Sequence, residues 1–250
     1  MACCRFFPRS GTDPSFDVIS ACIRLGHKYD LTSVYEQALS YLKGHFTTSL
    51  VVFHRTPTWV PRNFEPEHAI GVVNLALMTG ERTLLPLAVL VCCRLGEDML
   101  EGFTYGDGER ETLSQEGLAL CFGAHARLLS ATILIYFTTY APLSANCCER
   151  GEGDDKCRRS LQTLAELLAL RAQGPIKPNP FLTLDYNKSA SNAPRLCKPC
   201  QEAIKDRQLT RMVENWLRLP SMLGIDIPEW LDRDRVMEEP EEPGSSCSIQ

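Results

Sequence analysis

Two apolar stripes at helical spacing, separated by one tight turn, run through residues 16–50 (FDVISACIRLGHKYDLTSVYEQALSYLKGHFTTSL) and limit what this chain can become. In the first, Ile19, Ile23 and Gly26 form one row, with Val18, Cys22, Leu25 and Tyr29 beside it. Steps of three and four residues return to one side of a helix, so these positions read as a single buried face. In the second, Leu31, Val34, Tyr35, Ala38, Leu42 and Phe46 repeat at the same period. Asp30 or Ser33 stands where a cap is needed, and Ser33 with Glu36 matches a capping box. Helices this short gain most of their stability from packing, so each must bury its stripe on the other and on further elements.

The residues Ile23 to Asp30 (IRLGHKYD), Ala38, Leu39, Leu42 and Phe46 to Leu50 (FTTSL) resemble the closing helix pair of a BTB/POZ domain. The wording is nearest to BTB-domain proteins of mushroom-forming fungi. Asn74-Leu75-Ala76, Leu84 to Ala88 (LLPLA), the Cys197/Cys200 pair and Trp216 to Pro220 (WLRLP) through Trp230 agree with it. The resemblance implies an all-α fold, a helical bundle that begins with the BTB closing hairpin and continues into a BACK-like helical region. It also implies a non-enzymatic protein-protein interaction module. Such a module is a dimerising scaffold or a ubiquitin-ligase substrate adaptor, with a second copy or a cullin-type ligase as partner.

In that family the strands and first helices of the domain precede this hairpin, whereas only Met1 to Pro14 stands before it here. The expectation is a BTB domain lacking its N-terminal half. Residues 1–15 are then a disordered or spurious start, 16–50 the hairpin, 51–231 a helical region with cysteine-containing loops, and 232–250 a disordered acidic tail. A hairpin without its usual neighbours leaves Phe16, Val18, Cys22 and Tyr29 as an exposed interaction face.

Composition narrows the function classes. At 250 residues, 44% hydrophobic and 23% charged, the chain has enough apolar material for a core. A net charge of -5 and a pI of 5.6 supply no basic face for nucleic acid. The longest apolar runs, Leu84 to Cys93 and Leu128 to Phe137, fall short of the roughly 20 residues that span a bilayer. No basic start followed by an apolar core marks a secretory signal, so the expected location is cytoplasm or nucleus, where thiols stay reduced or hold metal. Of the 12 cysteines, Cys22, Cys92, Cys93 and Cys121 lie in apolar stripes and read as small hydrophobes.

Beyond the hairpin, Phe53 to Glu67 holds three prolines and reads as a surface loop anchored by Trp59 and Phe64. Ile70 to Gly80 is a short helix. Thr83 is placed to cap a central helix that has Pro86 in its first turn and stops at Gly96. The TYGDG stretch at Thr104 to Gly108 fits a turn and no phosphate-loop pattern. Thr112 to Gln115 (TLSQ) offers a capping-box start for a long helix that runs to about Tyr140, carrying His125 as an interior or boundary residue. Asn146 to Lys156 is a polar loop, Ser160 opens another helix, and residues 174–195 read as a long loop. The last helix follows Cys200, buries Ala203, Leu209, Met212, Val213 and Trp216, and ends at Pro220, after which Leu223 to Trp230 folds back.

Cysteines outside the apolar stripes carry the chemistry. Cys157, Cys197 and Cys200, with Cys148 or its neighbour Cys147, supply four thiolates for a structural Zn2+. Free thiols and a redox-active Cys-x-x-Cys are the other readings, and a zinc-stabilised or thiol-reactive enzyme centred on Cys197 and Cys200 is the alternative function. Cys247 to Gln250 has the form of a prenylation signal at Cys247, although its upstream residues are acidic where a lipid anchor favours basic ones. Nucleophile-elbow, zinc-protease, Walker and dinucleotide-binding patterns do not occur, so no catalytic residue is assigned.

Overall fold

A computed structural model describes residues 13–55, 59–139, 141, 154–171, 176–183 and 196–231. These form helices α1 (Phe16–Lys28), α2 (Thr32–His45), α3 (Leu50–Arg55), α4 (His68–Thr79), α5 (Leu85–Leu95) and α6 (Asp98–Glu101). Two short strands follow, β1 (Phe103–Thr104) and β2 (Arg110–Glu111), then α7 (Gln115–Thr139), α8 (Asp154–Arg171) and α9 (Lys198–Leu223). The chain is all-α, and its described residues include a small antiparallel hairpin that pairs Phe103 with Glu111 and Thr104 with Arg110. The turn expected at TYGDG forms the tip of that hairpin, with the Gly108 N–H on the Tyr105 carbonyl at 2.9 Å.

The two-helix start forms as the periodicity dictates. Ser15 caps α1 by accepting the Val18 N–H at 3.5 Å. The α1 and α2 backbones come close at Gly26, where an added Cβ would lie 2.9 Å from the Tyr35 Cβ and 3.0 Å from its nitrogen. Gly26 is thus in the apolar row because only a bare Cα fits the crossing. The cap of α2 differs from expectation. Leu31 takes the N-cap position without a side-chain bond, and Ser33 accepts from Gln37 instead of closing a capping box. Asp30 adopts a left-handed φ of 54° and makes the turn itself.

Helices α4 and α5 are the centre. Ala69 to Val73 and Leu84 to Cys93 are buried nearly all round, as a helix enclosed on every side requires. Pro86 sits in the first turn of α5, but Thr83 provides no cap, because a 3₁₀ turn over Arg82–Leu84 leads in. α1 packs on α4, while α5 packs on α7 and α9. Phe53 belongs to α3 and not to a loop, and it meets Trp216 and Phe181 at ring separations of 5.0 and 5.1 Å.

Three boundaries move. α8 is helical from Asp154, more than a turn before Ser160. α9 begins with Lys198, so Cys200 lies inside it, and it continues through Pro220 to Leu223. There Gly224 and Ile225 close a Schellman motif, with the Ile225 N–H on the Pro220 carbonyl at 2.9 Å and the Gly224 N–H on the Ser221 carbonyl at 3.1 Å. Leu209, expected inside, faces solvent. α7, with a mean hydropathy of 1.7 over its most apolar window, is long and apolar enough to cross a membrane by length and composition. Its inner row of Cys121, Ala124, Leu128 and Thr132 is buried.

Candidate metal centre and interaction face

The Cys-x-x-Cys pair straddles a helix start. Cys197 is the N-cap of α9, Pro199 fits the first turn because its missing N–H is not needed there, and Cys200 stands three residues on from the cap. Residues three apart share one side of a helix, which turns both sulfurs the same way. Cys157 reaches them from α8, accepting the Cys197 N–H at 3.4 Å. The Sγ atoms of Cys157, Cys197 and Cys200 all lie within 4.8 Å of one another.

That spacing fits a thiolate-bound ion. Zinc bonded to sulfur at about 2.3 Å in a tetrahedron separates its sulfurs by about 3.8 Å, so a small side-chain adjustment closes the set. Cys157 and Cys200 are buried and Cys197 is half-buried, giving a site dry on one side. The start of a 26-residue helix favours the negative charge that thiolates bring. The cluster can hold a metal. Its members sit on helices, not in the polar loops expected for Cys157 and Cys200. Cys147 and Cys148, named for the fourth position, and Cys247, named for prenylation, lie outside the described residues.

The other described cysteines behave as small hydrophobes. Cys22, Cys92, Cys93 and Cys121 are buried, and the Cys93 thiol donates to the Cys121 carbonyl at 3.3 Å. Burial pushes the Cys92 thiol well up, so it is a neutral packing group. His125 is half-buried on α7, as expected for a boundary position.

The expected interaction face is only half exposed, and Phe16 and Cys22 must be removed from it. Phe16 is wholly buried, stacked on His68 at 4.9 Å and set edge-on to Phe64 at 5.3 Å and Phe103 at 5.4 Å. Cys22 is buried nearly two turns further along. The cause is that α4 and the β-hairpin of this chain occupy that side. Val18, Leu25 and Tyr29 point the other way and are 45%, 50% and 59% exposed, with Leu31 beside them at 50%. Leu25 therefore leaves the buried stripe and joins the outer row. Spacings of seven and four place Val18, Leu25 and Tyr29 on one line, about 100° round the helix from the row of Ile19, Ile23 and Gly26.

A polar network behind α1 was not foreseen. Glu111 on β2 accepts from Arg24 at 2.6 Å and from Asn74 at 2.7 Å, and the Tyr105 hydroxyl donates to its other oxygen. Ser20 meets the Tyr105 hydroxyl at 3.0 Å and accepts from Arg24 at 3.2 Å. Asn74 also accepts the Ser114 N–H at 2.9 Å, which ties α4 to the start of α7. Burial and the neighbouring Glu111 push the Tyr105 phenol up to about 12, so the phenol remains the donor. Partners as far apart in sequence as residues 20 and 111 leave no local pattern to find; the one signal was the placement of Ser20 and Arg24, polar residues beside an apolar stripe. The chain matches no family model, no curated protein and no solved structure.

Proposed function

We propose that this chain is a protein-protein interaction module of the BTB type, a dimerising scaffold or ligase adaptor. The observation that carries the proposal is the outer row of α1. Val18, Leu25 and Tyr29, with Leu31 at the turn, stay in water although the adjoining side of the same helix is packed. Single exposed apolar residues are ordinary, but four large ones along α1 and the turn after it have the composition of a contact surface. The partner that resemblance to BTB proteins suggests is a second copy of the chain or a cullin-type ligase. Sedimentation over a concentration series tests the reading against a Leu25→Ser, Tyr29→Ser double variant. Association that the variant loses at unchanged melting temperature is the expected result. A wild-type chain that stays monomeric and gains no mass with a cullin-type partner overturns it.

The thiol cluster supports a second element of the proposal, a structural Zn2+ held by Cys157, Cys197 and Cys200 with Cys148 or Cys147 completing the set. Three soft donors from two helices favour zinc over hard cations, which prefer oxygen. The ion's part is to clamp α8 to the start of α9.

A further inference from the structure

We infer that the groove between α1 and the β-hairpin is the docking site for a basic peptide segment of a partner protein, one carrying a large apolar side chain between arginines or lysines. The inference rests on the interaction reading above and names the chemistry of the partner. The groove encloses about 750 Å³, within the range of roughly 300–1,000 Å³ typical of ligand clefts. Val18 and Ala21 on α1 give it an apolar wall, and the turn from Tyr105 to Glu111 forms the other side. Val18 also belongs to the exposed row, so groove and row are one continuous surface.

Charge selects the occupant. Both cations that line the groove are already engaged within the chain: Arg24 with Glu111 at 2.6 Å and Arg110 with Glu101 at 2.9 Å. Asp17, Asp107 and Glu109 stand on the rim; Asp17 accepts the Gly106 N–H at 2.9 Å and Asp107 the Glu109 N–H at 3.0 Å, but none of the three carboxylates is in an ion pair among the described residues. Phosphate-bearing partners are repelled by this rim, whereas a cationic segment is steered to it. An apolar wall beside an acidic rim calls for both characters in one ligand. A groove that runs along α1 from Asp17 to Arg24 and opens onto the exposed row suits a chain segment better than a compact molecule.

The sequence Arg5 to Arg9 of this chain, RFFPR, has that chemistry and serves as a labelled probe peptide. Fluorescence anisotropy with the full chain at low salt is expected to show saturable binding that weakens as salt rises. Asp107→Asn with Glu109→Lys, at exposed turn positions, weakens it on the order of tenfold without moving the melting temperature. A peptide with glutamate in place of both arginines does not bind. Absence of saturable binding, or binding indifferent to the Asp107 and Glu109 changes, overturns the inference. Binding that appears only after Phe6 and Phe7 are changed to serine assigns the groove to the chain's own first residues and also overturns it. Self-association through Leu25 and Tyr29 is read separately by sedimentation, so failure of the peptide alone leaves the interaction reading standing.

Discussion

The indole N–H of Trp230 donates to the backbone carbonyl of Trp216 at 2.7 Å, and the two rings lie 4.9 Å apart. Position 216 is four residues before Pro220, whose ring nitrogen has no hydrogen to give. The missing helical bond is thus supplied from outside the helix, and α9 passes through a proline that ordinarily ends one. Trp230→Phe keeps a ring beside Trp216 but leaves that buried carbonyl without a donor, at a cost of about 1–3 kcal/mol. Pro220→Ala restores an N–H four residues on. Denaturant unfolding of the double-mutant cycle should therefore show a smaller penalty for Trp230→Phe in the Pro220→Ala background. Equal penalties in both backgrounds would show that the indole bond does not compensate for the proline.

Leu42 and Leu25 both carry hairpin periodicity but differ in surroundings. Leu42 is wholly buried against the core, and Leu42→Ala should cost about 2–5 kcal/mol. Leu25→Ser should stay within about 0.5 kcal/mol, because its side chain is half in water. Thermal unfolding separates the two, and a Leu25→Ser loss as large as that of Leu42→Ala contradicts the outward placement.

Gly71 on α4 faces the Phe16 ring so closely that an added Cβ would collide with its Cζ and lie 2.7 Å from its Cε1. The ring has no room to retreat among Phe64, His68 and Phe103. Gly71→Ala, which ordinarily favours a helix, should here destabilise by about 1–3 kcal/mol in denaturant titration.

For the cysteine cluster, metal analysis of the purified chain should find about one zinc per molecule, and a chelator should lower the melting temperature. Cys157→Ser and Cys200→Ser should each lose the ion. Cys247→Ser should keep it. A metal-free chain whose melting temperature ignores chelator refutes the zinc assignment.

Acid should weaken the fold through His68. Its Nδ1 accepts the Glu65 N–H at 2.9 Å, and burial lowers its pKa from the ordinary 6.5, against the pull of Asp17, Glu65 and Glu67. Because the unfolded chain takes up this proton more readily, stability is full above pH 6.5 and is lost as pH falls from there through the lower folded value. Melting temperatures across that window should fall less in His68→Gln, whose amide oxygen can still accept. An equal fall in both chains would place the acid sensitivity elsewhere.

Periodicity made the helices legible, and a run apolar on every side marked α5 as central. The facing of α1 was not legible, because Phe16, Val18, Ile19, Cys22, Ile23 and Leu25 together cover too wide an arc for spacing to choose the buried side. The choice is made by α4 and the β-hairpin, whose strands are each two residues long and so show no alternation to detect. Pro220 was misread for a similar reason: its compensating donor stands ten residues further on. The thiol cluster was visible as residue types, since Cys-x-x-Cys is a local signal. That Cys157 meets it from inside a helix is a tertiary fact, since it stands 40 positions before Cys197.

The indole of Trp216 donates to the Thr48 carbonyl at 3.2 Å, joining positions 168 residues apart. At synthesis rates of roughly 5–20 residues per second, the ribosome needs roughly ten to thirty seconds to travel from one to the other. Throughout that interval the end of the first hairpin has no partner for its carbonyl, and Phe53 has no Trp216 ring to rest against. A segment made well before its partner is thus among the last to be finished. A chaperone that shelters this nascent chain would have its longest work at the N-terminal helices.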